Sequence, residues 1–366
     1  MLDTHFQPDW FSKPGDTLLT MMEHRELSCD DLAEKLGRTP ATVRALLAGA
    51  VEIDERLAIQ LAKHVGGTPT FWQKRQATYV NSLSRAAGAI PKQKGDEWLK
   101  LFPHGDIVNH GWITKPSRRD ELLKAYLAYF DVTDPEEWTE RYAKPVGTAF
   151  RRSATFKSKA GPLSAWLRRG EIEASSLQTA HWNPAELRRR LPELRVLTKA
   201  KAPAYFLPRV RRICAEAGIA VLFIRAPSGC TASGATRFVS PDKAMIILSF
   251  RYLSDDHFWF TFFHELGHLL LHSTAITFID GEAEAITEQE REANEFSASV
   301  LVPPTRRDQL LDLKPTKESV IRLAYSLGVS PGVVVGQLQH HEIIKPSQLN
   351  FLKRRFDWKQ ISAVLS

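Results

Sequence analysis

Apolar positions along the chain fall into three regimes. From Pro14 they recur every three to four residues in short runs, the spacing of amphipathic helices. PGDTLLTMMEHREL predicts one helix. SCDDLAEKLG predicts a second, capped by Ser28 and closed by Gly37. TPATVRALLAG predicts a third, with Thr39 as cap, Pro40 at the first helical position and Gly49 at the end. DERLAIQLAKHVGG and TPTFWQKRQATYV predict two more. A helix, a short glycine turn and another helix is the helix-turn-helix pattern. Its core would be Leu32, Ala33, Leu36, Val43 and Leu46.

The second regime is plainer. NSLSRAAGAIPKQKGDE reads as a linker, ending near Glu97. Helical patterns then run to about residue 200 in ELLKAYLAYF, LSAWLRRG and NPAELRRRLPELRVL. In the third regime, GIAVLFIR and AMIILSF are continuous apolar runs and read as strands, joined through GATRFVSPDK. DDHFWFTFFHELGHLLLH follows, apolar on nearly all sides, with Ser254 as cap and two acids in its first turn, where the helix dipole favours them. TEQEREANEFSASVLVPP predicts a helix stopped by Pro303 and Pro304. The tail reads helix, glycine, turn, helix. The expected class is α+β and mostly helical. Its expected divisions are a helix-turn-helix bundle over 1–84, a linker over 85–97, a helical middle over 98–200, a mixed domain with a small sheet over 201–310, and a helical cover over 311–366.

One stretch carries chemistry. In HELGH, His264 and His268 are four apart, so on a helix they point the same way and could grip one cation. Glu265 stands one step round, beside the cation rather than on it. That is the arrangement of a zinc site with a glutamate base. The plain alternative is a buried helix with incidental histidines. Yet buried polar groups need partners, and a cation is one. A third ligand is needed. Glu290 is 22 residues past His268 (290 minus 268), enough for a turn and an antiparallel return. The plainer alternative for it is a capping box with Thr287, and Glu288 and Glu292 compete. His272 is a rival ligand, about 80° round the helix from His264. Asn294, one turn beyond Glu290, could hold a ligand histidine by its other nitrogen. Gly267 is odd in a helix interior, where it costs about 1 kcal/mol, unless another backbone comes close.

HELGH followed by EREANEFSASVLVP resembles the ImmA/IrrE zinc metallo-endopeptidases, over the chain from about Ala202 onward. The resemblance implies His264, His268 and Glu290 as ligands and Glu265 as base, with Ser297 and Val302 as mild departures. PGDTLL, LSCDDLAEKLG and LAIQLAKHVGGTPTFWQKRQATY resemble the HigA-like branch of XRE-family helix-turn-helix proteins. That implies a third helix in the DNA major groove, showing Thr39, Ala41, Thr42 and Arg44, with Lys35 and Arg38 near phosphates. Operator DNA and a homodimer through this part are implied. Together they imply a regulatory protease acting on a repressor-type regulator, in trans or on its own linker, in prophage, stress or toxin–antitoxin control. The rival reading is a repressor or antitoxin whose protease-like half is a sensor or scaffold. An intact Glu265 favours the enzyme, since a structural site has no use for a base.

Three further expectations concern substrate and setting. Gly234–Phe238 or Ala244–Ser249 would offer an edge to an extended peptide. Arg237, Arg251, Tyr252 and His257 are candidates to stabilise an oxyanion. No run approaches the roughly 20 apolar residues of a membrane span, and the start has no signal-peptide core. Cys29, Cys214 and Cys230 share no ligand spacing, which fits a reducing cytoplasm. The net charge of +7 permits nucleic-acid contact without demanding it.

Overall fold

The computed structural model of the chain describes residues 12–144, 156–272, 278–280 and 287–365. It is α+β and mostly helical, and divides into two compact units. The first comprises Met1–Pro145, Lys157–Leu177 and Pro227–Gly229; the second holds the rest, from Gln178 to Ala226 and Cys230 to Ser366, with Val146–Phe156.

The first unit opens with five helices: α1 (Pro14–Glu23), α2 (Cys29–Leu36), α3 (Pro40–Leu47), α4 (Glu55–His64) and α5 (Pro69–Ala89). Local chemistry sets their ends. Ser28 and Asp31 form a reciprocal capping box on α2, and Gly37 closes it in the left-handed region at φ 61°. The Thr39 hydroxyl accepts from the Thr42 N–H, and Pro40 opens α3. Leu18, Leu32, Val43, Leu57, Leu61 and Trp72 make a dry core, and the Trp72 indole donates to the Gly66 carbonyl at 2.9 Å. The unit continues through α6 (Lys92–Leu99), α7 (His104–Asn109), α8 (Arg119–Phe130), α9 (Pro135–Trp138) and α10 (Phe156–Ser176). Trp98, Phe102, Tyr126, Phe130 and Trp138 pack there mainly edge-to-face or tilted.

Two expectations change here. Residues 85–97 are not a loose linker: α5 runs through to Ala89 and α6 begins at Lys92. Gly88 does not end α5, and Gly95 is buried, where an added Cβ would touch Leu123 and Ile90. The expected break at residue 84 also vanishes into a shared polar network. Lys13, only 6% exposed, pairs with Asp131 at 3.3 Å. Arg168 sits between Glu171 at 2.9 Å and the Tyr129 carbonyl at 2.7 Å. The middle segment expected over 98–200 is itself divided, because residues from Gln178 on belong to the second unit.

The second unit begins with α11 (Pro184–Val196) and α12 (Pro203–Glu216). Its sheet has β1 (Ile219–Phe223), β2 (Gly234–Ser240), β3 (Lys243–Leu248) and β4 (Phe278–Asp280) in the order β1-β3-β2-β4. β1 runs parallel to β3, and β2 runs antiparallel to both β3 and β4. α13 (Asp255–Leu271) packs on β2 and β3, and α14 (Glu288–Leu301) packs along α13. The chain ends with α15 (Arg307–Leu311), α16 (Lys317–Leu327), α17 (Pro331–His340) and α18 (Trp358–Leu365). One buried apolar core runs from Leu187 to Ile361, so the helices beyond 310 pack on the same core as the sheet and α13.

The acids at the start of α13 do more than face a dipole. Ser254 occupies the cap position, but its side chain makes no capping bond. Asp255, fully buried, accepts from the Ser330 hydroxyl at 2.7 Å and the Arg354 N–H at 2.9 Å. Asp256 pairs with Lys353 at 2.6 Å. These bonds pin the C-terminal helices to the helix that carries the histidines. Burial is the main influence on the Asp255 carboxyl and raises its pKa despite those donors.

Candidate active site

α13 and α14 lie antiparallel, and two small residues let them meet. A Cβ on Gly267 would come within 3.2 Å of the Ala293 Cα and 3.0 Å of the Phe296 ring, which accounts for a glycine in mid-helix. Ser297 donates to the Phe260 carbonyl at 2.8 Å. The contact brings Glu290 and Asn294 over His264 and His268.

Four polar groups converge there. The Nε2 atoms of His264 and His268 are 2.9 Å apart. Glu290 places one oxygen 3.2 Å from His264 Nε2 and the other 3.4 Å from His268 Nε2. His264, Glu265 and His268 are all nearly inaccessible. Among the described residues, His264, His268 and Glu290 form a group with ligand atoms within 4.8 Å of one another. The donor set fits a divalent cation. Zinc bonds of about 2.0–2.1 Å in a tetrahedron separate ligand atoms by about 3.3 Å, close to the spacing already present. Two nitrogen lone pairs and a carboxylate this close repel one another unless a positive charge lies between them.

The protonation pattern suits that charge. His264 Nδ1 lies 3.0 Å from Asn294 Oδ1. A carbonyl only accepts, so Nδ1 carries the proton and Nε2 keeps its lone pair. Burial lowers the His268 pKa to about 4, against the pull of Glu290, so the ring is neutral at pH 7. Burial works to raise Glu290, and hydrogen bonds from His264 and His268 lower it to about 2 when those rings carry a proton toward it; with both Nε2 atoms bare, a cation takes that place beside the carboxylate. Thr287 caps α14 by accepting from the Glu290 N–H at 3.2 Å, while the Glu290 carboxylate turns to the histidines instead of completing a capping box.

Glu265 is positioned by the sheet. Its Oε2 accepts from the Thr236 hydroxyl at 2.6 Å, from the middle of β2. Gly234, at the start of that strand, lies so close that an added Cβ would collide with the Glu265 carboxylate and the Thr261 methyl. Both lie in the stretch Gly234–Phe238 read from sequence as a substrate edge, but neither was expected to touch Glu265. They stand 31 and 29 positions before Glu265, and no local spacing connects them to it. His272 does not join the cation group; it sits behind His268, with its Nδ1 3.0 Å from His268 Nδ1.

Other candidates fall elsewhere. β3 is paired on both sides, by β1 and β2, so Ala244–Ser249 has no free edge for a peptide. β2 is covered over Gly234–Thr236 by β4, leaving only the part beyond Thr236 on that side. Of the oxyanion candidates, Tyr252 and His257 lie with ring centres 4.0 Å apart and planes tilted by 36°, and Arg251 lies over Tyr252 and donates to the Thr231 carbonyl. They cluster near the opposite end of α13, along a crevice that reaches Thr261, one turn before Glu265. Arg237 lies on β2 opposite Met245.

In the first unit, Lys35, Arg38 and Thr39 are exposed around the α2–α3 turn. The Thr39 and Thr42 hydroxyls hydrogen-bond each other at 3.0 Å. Arg44 is half-buried, and its charge acts on the Cys29 thiol. The Ala41 side chain lies outside the described residues. Ala45, Ala48 and Gly49 line a cavity with Trp112, Tyr129 and Ile172, so the C-terminal half of α3 faces the unit's own interior.

A sheet-backed helix bearing HExxH, crossed by a second helix that supplies a carboxylate, defines a domain of metallopeptidase type. Residues 214–339, roughly a third of the chain, match the family described as IrrE N-terminal-like domain, Peptidase_M78. This supports a protease of ImmA/IrrE type in the second unit. No curated protein matches the chain. Among the described residues, no single helix is long and apolar enough to cross a membrane.

Proposed function

We propose that the second unit is a zinc-dependent endopeptidase. The observation that carries this reading is the meeting of the His264 and His268 Nε2 atoms and the Glu290 carboxylate beside a buried Glu265. His264, His268 and Glu290 would hold the ion. When bound, zinc supplies Lewis acidity toward water and a peptide carbonyl. Glu265 takes a proton from the attacking water on a carboxylate oxygen, then delivers it to the leaving amine nitrogen. Thr236 keeps that carboxylate aimed during the transfer. Asn294 fixes the His264 ring.

The substrate we propose is a repressor-type regulator in the cytoplasm, cut in trans. A cut in the chain's own 85–97 segment would first require unwinding α5 and α6, since a protease needs extended substrate. The first unit would serve as the targeting part, binding operator DNA as a dimer through Lys35, Arg38 and the N-terminal half of α3. What supports this is the exposed basic turn at Lys35 and Arg38 and the net charge of +7.

The test combines metal analysis with cleavage mapping. Wild type should hold about one zinc per chain. Glu265→Gln should keep the zinc and lose cleavage; His264→Ala and His268→Ala should lose both. New protein N-termini in cells carrying wild type, absent with Glu265→Gln, would identify the substrate. If carefully purified wild type holds no zinc, or no regulator is ever cut while DNA binding persists, the second unit is a scaffold and the chain a transcription factor.

A further inference from the structure

We infer that His272 and Glu292 form a positioning pair that fixes the ring of His268 with its Nε2 lone pair facing the cation site. This rests on the zinc reading above and deepens it.

The argument is one of proton placement. His272 Nε2 lies 2.9 Å from Glu292 Oε2. A carboxylate only accepts, so His272 carries a proton on Nε2 and donates it to Glu292. A neutral imidazole has one N–H, which leaves His272 Nδ1 bare. That bare nitrogen is 3.0 Å from His268 Nδ1. The contact needs one proton, and with His272 neutral only His268 can supply it. His268 therefore donates from Nδ1, and its Nε2 keeps a lone pair directed at His264 and Glu290. A negative charge two rings away thus selects the binding tautomer of a ligand. Carboxylate–histidine partners behind a metal ligand orient it and raise its basicity.

The backbone explains why His272 serves behind the site. α13 ends at Leu271, and His272 is extended at φ −117°, ψ 169°, while its N–H still donates to the His268 carbonyl at 3.1 Å. A further helical turn would have carried its ring round the helix. Released from the helix, the ring folds back against His268, with its side chain only 3% exposed, and Glu292 reaches it from α14 with half its own side chain in water. Glu290 and Glu292 thus divide the work: one carboxylate for the ion, one for the histidine behind it.

The test uses the full chain in two measurements. Histidine-selective 15N spectra should show His272 as the Nε2–H tautomer and His268 as the Nδ1–H tautomer in the zinc-loaded protein. A His272 found as the Nδ1–H form, or doubly protonated, overturns the inference. Zinc affinity by chelator competition should fall about 10–100-fold in His272→Phe and in Glu292→Leu. It should stay near wild type in Glu292→Gln, whose amide oxygen still accepts, and in Arg291→Ala on the same helix. Glu292→Leu is the safer variant, because its side chain is half in water; circular dichroism confirms folding in each case. Unchanged affinity in both disruptive variants overturns the positioning pair alone. No zinc uptake by wild type overturns the metal reading, and the inference with it.

Discussion

Thr236 gives the sharpest residue-scale prediction. Its hydroxyl donates to a carboxylate buried completely. Valine has the same shape without the donor, and loss of a partner to a buried charged group costs about 1–3 kcal/mol. If that loss falls on the transition state, kcat drops about 10–100-fold. Thr236→Val should therefore lower kcat with zinc content unchanged, and Thr236→Ser should restore most of it. A Thr236→Val enzyme with wild-type kcat would remove the threonine from the mechanism. Gly234→Ala should be at least as harmful, because its methyl would displace Glu265 itself. At this scale legibility was uneven for a physical reason. His264, Glu265 and His268 share one helical turn, so their spacing encodes their geometry. Glu290 and Asn294 also sit one turn apart, on a helix long enough to predict. Thr236 and Gly234 reach Glu265 only through the pairing of a strand with the sheet, which no local pattern records.

Elements meet most tightly where α13 crosses α14. Gly267→Ala would place a methyl 3.0 Å from the Phe296 ring and 3.2 Å from the Ala293 Cα, so the two helices must part by a few tenths of an ångström, an overpacking cost of about 1–3 kcal/mol set against about 1 kcal/mol of helix propensity gained. It would also push Glu290 away from the histidines, so zinc affinity should fall along with stability. At the other end of α13, Asp255→Ala would leave the Ser330 hydroxyl and the Arg354 N–H without their acceptor. Two unmet buried donors at about 1–3 kcal/mol each should lower Tm by roughly 5–20 °C, given about 2–4 °C per kcal/mol for a unit of this size. A scan of the metal-free protein measures it directly. An unchanged Tm would mean that the C-terminal helices dock without this anchor. The helices and strands themselves were readable from apolar rhythm and caps. The anchor was not, because Asp255 and Asp256 look like ordinary dipole-facing acids until the 330–354 segment folds onto them. The linker over 85–97 was misread for a similar reason. Gly88 and Pro91 are loop residues by composition, but α5 continues to Ala89, and Pro91 caps the start of α6.

At the scale of the whole molecule, the first unit sets the terms for any DNA reading. Its N-terminal bundle does not end at residue 84, since α5 packs on α8 and buried Lys13 draws its partner Asp131 from beyond it. A fragment stopping at 84 leaves that ammonium buried beside Asp16 alone, whereas the chain as a whole keeps both partners. Trypsin should accordingly spare Arg85, Lys92 and Lys94 in the native protein and cut them readily once it is unfolded, because helical segments resist entry into a protease cleft. DNA binding is best tested on the intact chain for the same reason. Lys35 and Arg38 are exposed at the α2–α3 turn, where they can neutralise phosphates but cannot read bases. Replacing both with alanine should weaken binding to every sequence alike and flatten the salt dependence by about two phosphate contacts, a change of roughly 1.8 in the slope of log K against log salt. Arg44 is the one long cation on the face of α3, and its half-buried position beside Cys29 restricts its reach. Arg44→Ala should change discrimination between sites more than it changes affinity for bulk DNA. Equal losses from Arg44→Ala on all sequences would make it another phosphate contact. Absence of any footprint at low salt would turn α2 and α3 into a protein-contact surface, and the regulator proposed as substrate of the second unit would then be the first partner to try on it.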